Sequence, residues 1–315
     1  MNKNQSVDGP TRVAVIGAGV AGLTCGGALA RAGFDVELFD KDERPGGRLA
    51  THRVDSLRFD YGAPFLAADS TLGQSWHLVD KSGSVKPVRV GMPDMNSVAR
   101  ELARDVAVRC GCQVTGMTRL QGRWHLGEMS GQIIGPFDWV ALTMPAPQVK
   151  LLAPMLSARI ASVRMNPCWT LMAAFGEKLP VEFDTISFND PILARAVRET
   201  AKPGRVTRPE AWTIYATPDF SRAQFEQPAG RMAAALLQRF GEAMGFGLAL
   251  PRARYMTAHR WRFARVATPL GEDYVLDPQQ HLALAGDWCV GDGVDAARRS
   301  GAMLAVALAR RGGRN

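Results

Sequence analysis

The sequence contains no run of about 18 apolar residues, the minimum for a membrane-spanning helix. Its first eleven residues, Met1 to Thr11, are polar and hold no apolar signal core. These absences predict no membrane span and a cytoplasmic location. Cysteine is scarce: Cys25, Cys110, Cys112, Cys168 and Cys289 are odd in number and make no disulfide framework. Cys110 and Cys112 form a C-x-C with no second pair, so no metal site is expected and the thiols are expected to be reduced. Acidic residues fall short of basic ones, 30 against 38, for a formal charge of +8. That excess either solvates the surface or draws in a phosphate-bearing ligand. No Lys/Arg run with interleaved aromatics occurs, which argues against a nucleic-acid partner. The five histidines, His52, His77, His125, His259 and His281, and Lys150 form no catalytic constellation, so each histidine is read as structural or surface.

What is present begins with length. A chain of 315 residues with 46% hydrophobic residues buries a core without disulfides and is long enough for two domains. Residues 12–17 read as a buried strand, 20–32 as a small-residue helix closed by Gly33, and 34–40 as a second strand, together a β-α-β unit. A helical pattern follows at 97–104. Short strands follow at 106–109, 112–119 and 123–127, with Gln121-Gly122 as a hairpin turn. Residues 137–144 read as one buried strand ending at Met144-Pro145-Ala146-Pro147, where two prolines leave the sheet. The texture changes over 149–275, with mixed strands and a helix near 230–244. A strand at 281–286 and a long helix at 295–310 restore the nucleotide-binding character.

Four motifs carry chemistry. Gly17-Ala18-Gly19-Val20-Ala21-Gly22 follows a strand and opens a helix, the context in which a G-x-G-x-x-G cradles a pyrophosphate. Gly17 permits the turn, Gly19 lets the backbone approach the phosphates, and Gly22 allows helix and strand to pack closely. The N-terminal amides of the helix then face the phosphates. Asp40 ends the second strand about 20 residues on, where an acid accepts hydrogen bonds from a ribose; Glu37, inside the strand, is the weaker candidate. In Arg44-Pro45-Gly46-Gly47-Arg48, the glycines permit close backbone approach and Arg48 can neutralise a phosphate. Ala285-Gly286-Asp287, followed by Gly291-Asp292-Gly293-Val294-Asp295, ends a strand and starts a helix. Asp287 is placed to bond a polyol or phosphate, the helix amides near Val294 can face an electron-rich ring edge, and Asp295 reads as the helix N-cap.

In this order the motifs resemble the FAD-dependent amine oxidase superfamily. Asp60-Tyr61-Gly62-Ala63 resembles the D-x-G-A segment beside its flavin. Leu142-Thr143-Met144-Pro145-Ala146-Pro147, His259 to Arg265 and Ala285-Gly286-Asp287-Trp288-Cys289 are similar to the bacterial renalase-like group. The resemblance covers nearly the whole chain. It implies an α/β protein: a Rossmann-like two-dinucleotide-binding-domain FAD fold with an inserted α+β substrate domain. The FAD-binding domain is expected at 1–66, 94–148 and 277–315, the substrate domain at 67–93 and 149–276. It also implies noncovalent FAD, since the resembling group carries a cysteine in the same W-C context without a covalent link. The implied cofactor set is Gly17, Gly19, Val20, Ala21, Gly22, Asp40, Lys41, Gly47, Arg48, Gly62, Ala63, Val114, Gly286, Asp287 and Val294.

The implied activity is oxidation of aberrant dihydro-NAD(P) isomers by hydride transfer to the flavin, with O2 reduced to H2O2. The sequence departs from renalases at Gly62-Ala63-Pro64-Phe65-Leu66-Ala67, where a G-A-Q-Y-F-T-like run loses its Gln and Thr, and at Gly291 to Ala297, where an Arg is lost. Two alternatives therefore stand: an amine oxidase or desaturase acting on a small amine or biosynthetic intermediate, and a flavin-binding protein without turnover. Hydride transfer asks little of side chains, so no catalytic residue is assigned. Pocket candidates are Trp261, Trp288, Phe65 and Arg262, with Arg260 and Arg265 able to receive a substrate phosphate. Trp169, Trp212 and Tyr215 are candidates for the substrate side.

Overall fold

Residues 12–40 fold as their apolar pattern predicts. The computed structural model describes residues 9–312. In it, strand β1 (Arg12–Ile16) leads through helix α1 (Val20–Arg31) to strand β2 (Asp35–Phe39), which lies parallel to β1 with Val13 opposite Val36 and Val15 opposite Leu38. A parallel sheet is covered on both faces, so its strands read as apolar runs without alternation; Val13, Ala14 and Val15 are wholly buried. The six-stranded sheet runs in the order Val275–Asp277, Leu282–Leu284, Trp139–Leu142, β1, β2, Ala107–Arg109. All neighbours are parallel except Val275–Asp277, which pairs antiparallel with Leu282–Leu284. The last helix, Val294–Gly312, lays Leu304 and Leu308 into the core that also holds Leu23 and Leu29 of α1. The end of the chain thus returns to its first glycine motif.

Residues 137–144 are not one strand. Ile133–Phe137 closes a three-stranded antiparallel sheet with Val114–Leu120 and Arg123–Glu128, while Trp139–Leu142 enters the main sheet. Pro136 offers no N–H, the pairing is irregular between Ile134 and Phe137, and the Asp138 amide turns to the Arg12 carbonyl, so the chain changes sheets there. Gln121 and Gly122, with φ of 50° and 80°, make the hairpin turn. Two hairpins had no legible signal: Thr51–Val54 with Leu57–Asp60, and Gln74–Val79 with Val85–Val90. The second is exposed along much of both strands and so lacks a clean apolar alternation. Its tip bridges Asp80 to Thr185.

A five-stranded antiparallel sheet forms the other layer, in the order Thr185–Ser187, Leu193–Arg198, Glu210–Ala216, Arg164–Phe175, Ala253–Thr268. Period two divides its residues between two faces. Ile186, Ala196, Ile214, Leu171 and Ala258 are register neighbours and pack with Met232, Leu236 and Phe240 of helix Ala229–Ala243. The opposite face carries the row Ser187, Arg195, Tyr215, Thr170 and His259. Met172 and Ala211 on that face pack with Leu57 and Phe59 of the 51–60 hairpin. No helix among the described residues is long and apolar enough to cross a membrane.

The hairpin is locked to this face by charges. Lys202 Nζ meets Asp60 Oδ2 at 2.8 Å and Glu199 Oε2 at 2.8 Å, and Arg205 Nη2 meets Asp60 Oδ2 at 2.5 Å; all four side chains are at most 3% exposed. Asp60 also accepts from the Met95 amide and Thr51 Oγ1, and the Tyr215 hydroxyl donates to its carbonyl. Burial pushes the Asp60 carboxyl up, but Lys202 and Arg205 outweigh it and hold Asp60 below its usual range. The two acids and two bases balance, so removing one base strands a buried carboxylate. Lys202→Met is expected to cost about 3–5 kcal/mol in urea unfolding; a loss below about 1 kcal/mol would show the cluster to be well hydrated.

Candidate functional site

The glycine motif forms an open cradle at the start of α1. Gly17 takes φ of 106°, a turn that side chains disfavour. A Cβ on Gly22 would sit 2.0 Å from the Gly17 carbonyl oxygen and 2.6 Å from Thr143 Oγ1, so only glycine lets α1 start there. A Cβ on Gly19 would meet nothing within 4 Å, which leaves the space before the helix open. Val20 and Ala21 sit in the first turn, whose amides have no intrahelical acceptor. Thr143 donates to the Ile16 and Gly17 carbonyls at 3.1 and 2.7 Å and fixes the turn from below.

Asp40 grips the same turn. Its Oδ2 accepts from the Ala18 amide at 2.6 Å and its Oδ1 from the Asp42 amide at 3.0 Å. Burial raises its pKa despite those two bonds, and the side chain stands at the edge of the cradle with both oxygens already engaged. Its neighbour Lys41 is half exposed and pairs with Asp42 at 2.7 Å. Val114 starts its strand against the core formed by Phe39, Trp124, Phe137 and Leu142.

The Arg44–Arg48 loop closes over the motif. The Gly46 amide donates to the Ala18 carbonyl, Asn96 Nδ2 donates to the Pro45 carbonyl, and a Cβ on Gly47 would lie 3.5 Å from Gly19 Cα. Arg48 and Asp287, expected to meet a ligand separately, meet each other. Nη1 and Nη2 reach Oδ2 and Oδ1, both at 2.7 Å, and Nη1 donates to the Ala264 carbonyl at 3.1 Å. Asp287 is 2% exposed, and a buried carboxylate requires a paired cation. Burial presses the Arg48 guanidinium down, but Asp287 overrides it, so the net shift is upward. The Arg48 carbonyl accepts from the Ala63 amide, and a Cβ on Gly62 would lie 2.0 Å from that carbonyl oxygen. Strand Leu282–Leu284 ends two residues short of Gly286, which caps the short helix Asp287–Val290 and donates its amide to Ser300 Oγ. Val294 begins the last helix, half buried.

On either side of Gly62 and Ala63 the segment faces the polar side of the five-stranded sheet, through Tyr61 and Phe65. Tyr61 stacks on Trp261 at 5.1 Å and 22°, and His259 sits edge-on to both at 4.8 and 4.6 Å. Trp261 Nε1 donates to the Tyr61 carbonyl at 2.8 Å, which fixes the indole. These rings form a half-buried aromatic wall. His259, set aside in the sequence as an isolated histidine, belongs to it; the signal was its two-residue spacing from Trp261 on one strand.

Other candidates lie elsewhere. Trp288 is wholly buried, packs in the core with Phe39, Phe137 and Leu142 and donates from Nε1 to the Met144 carbonyl, so it presents no surface to a ligand. Arg262 and Arg260 lie over Phe225, on the face away from Trp261, because alternate strand residues point apart. Arg265 pairs with Asp292. Asp295 is the second residue of its helix rather than its cap, and accepts from Ser70 Oγ at 3.0 Å. Trp169 and Trp212 are buried on the helix-covered face, while Tyr215 lies on the polar one. Phe65 stands under Arg195, whose guanidinium carbon is 5.3 Å from the ring centre. Burial pushes the thiols of Cys25 and Cys289 up to about 12, so neither is a thiolate near neutrality.

Residues 15–82 match the family described as NAD(P)-binding Rossmann-like domain. A zeta-carotene-forming phytoene desaturase of Myxococcus xanthus is 36% identical over 70 residues, 22% of this chain and 14% of the desaturase. An L-amino acid oxidase of Cerastes cerastes is 43% identical over 54 residues, 17% of this chain and 10% of the oxidase. The matched segments thus span a small fraction of these relatives. The fold extends further. A protein of Exiguobacterium sp. 255-15 ascribed to the protoporphyrinogen oxidases superposes with a TM-score of 0.68 at 13% identity, over 96% of this chain and 99% of the other. A putrescine oxidase redesigned in cofactor binding gives 0.69 at 12% identity, over 95% and 99%. Residues 15–82 thus resemble a Rossmann-like domain, and the chain shares the mixed α/β fold of these two structures.

Burial holds the imidazoles of His52 and His259 below their usual value of 6.5; at His259, Asp42 offsets part of the effect. The unfolded chain takes up protons that the folded rings refuse. Stability from these groups is therefore complete above about pH 6.5 and is lost as pH falls through the window beneath it. The Tm is expected to drop between pH 7 and pH 5, and to drop less in His52→Phe/His259→Phe. An equal drop in both proteins would assign the acid sensitivity to other groups.

Proposed function

We propose that this chain is an FAD-dependent oxidoreductase that accepts hydride from a small planar donor and returns the electrons to O2. The open cradle before α1, closed by the Arg48–Asp287 pair, carries the reading. It fits a dinucleotide: Gly19 leaves free space, the first-turn amides of α1 offer donors, and no acidic residue stands in that turn. Gly17, Gly19, Val20 and Ala21 would hold the pyrophosphate, with Gly22 seating the helix. Asp40 and Lys41 would border the adenosine side, and Gly47, Arg48, Gly62, Ala63, Gly286, Asp287 and Val294 the remainder, with Val114 at the rim. When bound, FAD supplies the hydride acceptor and, after reaction with O2, yields H2O2. The inserted substrate domain would comprise residues 67–93 and 149–276.

The chain's own residues then orient the donor and accommodate its charge. A dihydronicotinamide or an amine becomes cationic as hydride leaves. Tyr61 and Trp261 present π faces that favour a cation, and burial keeps His259 neutral near pH 7, so that ring adds no positive charge beside them. The resemblance to renalases supports aberrant dihydro-NAD(P) isomers as donors. A second reading, an amine oxidase or desaturase, is supported by the apolar Pro64-Phe65-Leu66 run and by the relatives, which include an amino acid oxidase and a carotenoid desaturase.

Anaerobic flavin bleaching separates the readings. Mixed dihydro-NAD(P) isomers, ordinary NADH and a panel of amines would be offered separately to the FAD-loaded protein. Fast bleaching by the isomers alone is expected; bleaching by amines alone would select the second reading, and none by any donor would overturn turnover altogether. Asp40→Ala, which releases the Ala18 amide, is expected to purify with several-fold less FAD than the parent. Equal flavin content would remove Asp40 from the cofactor site.

A further inference from the structure

Most guanidinium groups in the interior layers of this protein have a carboxylate. Arg48 has Asp287, Arg53 has Asp94, Arg198 has Asp184, and Arg205 has Asp60. Arg195 departs from this pattern. It is half buried on the polar sheet face, on the strand next to the edge, and among the described residues its guanidinium has no ion pair and no hydrogen bond. It rests on the Phe65 ring, and its charged neighbour is another cation, Arg265. Desolvation first and then that like charge act against its protonated form, with Tyr215 offsetting part of the effect, so a site with no carboxylate on this guanidinium favours an incoming anion.

The setting is also a cavity. A space of about 340 Å3 opens between the 74–90 hairpin and the edge strand Thr185–Ser187, bounded by Phe65 and Arg195 and flanked by Lys81 and Lys86. Asp80, at its rim, is already engaged by Lys86 at 2.7 Å. Arg195 lies opposite Tyr215 in the sheet register, in the row that ends at His259 of the aromatic wall.

We propose that Arg195 is the specificity-determining anchor of the donor site, binding a carboxylate or phosphate of a substrate that enters through this cavity and whose planar end reaches Tyr61 and Trp261. This deepens the oxidoreductase reading and rests on it. A guanidinium offers two parallel N–H donors to either anion, and the Phe65 face holds its plane. Substrates with an acidic tail bind; neutral isosteres leave Arg195 buried without a counter-charge.

The test uses the FAD-loaded protein and three aromatic probes of similar size: benzoate, phenyl phosphate and neutral benzamide. Dissociation constants are read from tryptophan fluorescence and from the flavin difference spectrum. Wild type is expected to bind at least one anion tenfold or more tightly than benzamide. Arg195→Met is expected to abolish that preference while keeping the FAD content and Tm of the parent, and Arg195→Lys to retain part of it. Loss confined to benzoate assigns a carboxylate; loss confined to phenyl phosphate assigns a phosphate. Unchanged anion affinity in Arg195→Met overturns the anchor, as does a wild type that binds benzamide as tightly as both anions. Should Arg195→Met not fold, Arg195→Lys binding the anions and benzamide as the parent does overturns it equally. A protein that takes up no FAD refutes the oxidoreductase reading instead, and the fluorescence arm reports on Arg195 independently.

Discussion

The Arg48–Asp287 pair is the contact on which the arrangement of the site depends. Its two bonds join the loop after β2 to the turn following strand Leu282–Leu284, 239 residues on. The same guanidinium holds the Ala264 carbonyl on the longest strand of the five-stranded sheet, and the Arg48 carbonyl receives Ala63. One residue thus fixes the cradle, the C-terminal helix entry, the sheet and the segment between them. Removing the Arg48 charge strands the Asp287 carboxylate, which is 2% exposed, a cost of several kcal/mol for such pairs. The ionic bond therefore positions the site more than it stabilises the fold.

The parts of the fold legible in sequence are those where one element decides its own form. The β-α-β unit was readable because a short apolar strand, a glycine-rich helix start and a second apolar strand occur without interruption. The terminal helix was readable for the same reason. The 133–142 stretch was not, because its division depends on where the Asp138 amide finds an acceptor, and that acceptor is Arg12, remote in sequence. The 74–90 hairpin pairs two strands that bury little, so no alternation marks it.

Site residues divide along a similar line. The glycines announced themselves through backbone demands that only glycine meets. Asp40 was legible as the acid after the second strand, but its hold on the Ala18 amide requires knowing how far β2 projects past β1. Trp288 and Trp261 look alike in sequence, each an aromatic beside polar neighbours. One is wholly buried on the inner side of its own short helix, Asp287–Val290, and the other is half exposed on a strand. Only the period-two register separates Trp261 and His259 from Arg260 and Arg262, and that register is set by pairing with Arg164–Phe175.

The polar face of the sheet shows how charge is apportioned. Toward the hairpin, Asp60 and Glu199 meet Lys202 and Arg205 in a closed cluster with no net charge. Asp94 gathers Arg53, with Arg58 and Arg100 at 3.5 and 3.6 Å, and remains 1% exposed. Cations near the interior thus stand beside a carboxylate where they serve packing. Tyr215 stands between the two regimes: its hydroxyl donates to the Asp60 carbonyl, while its strand neighbour Arg195 faces a cavity with only an aromatic ring beneath it. A half-buried guanidinium without a partner forgoes the stabilisation that an adjacent carboxylate would give. The closed cluster on one side of Tyr215 and the open cation on the other assign different work to the two ends of one sheet face: the first holds the layers together, and the second is left free to receive charge from outside.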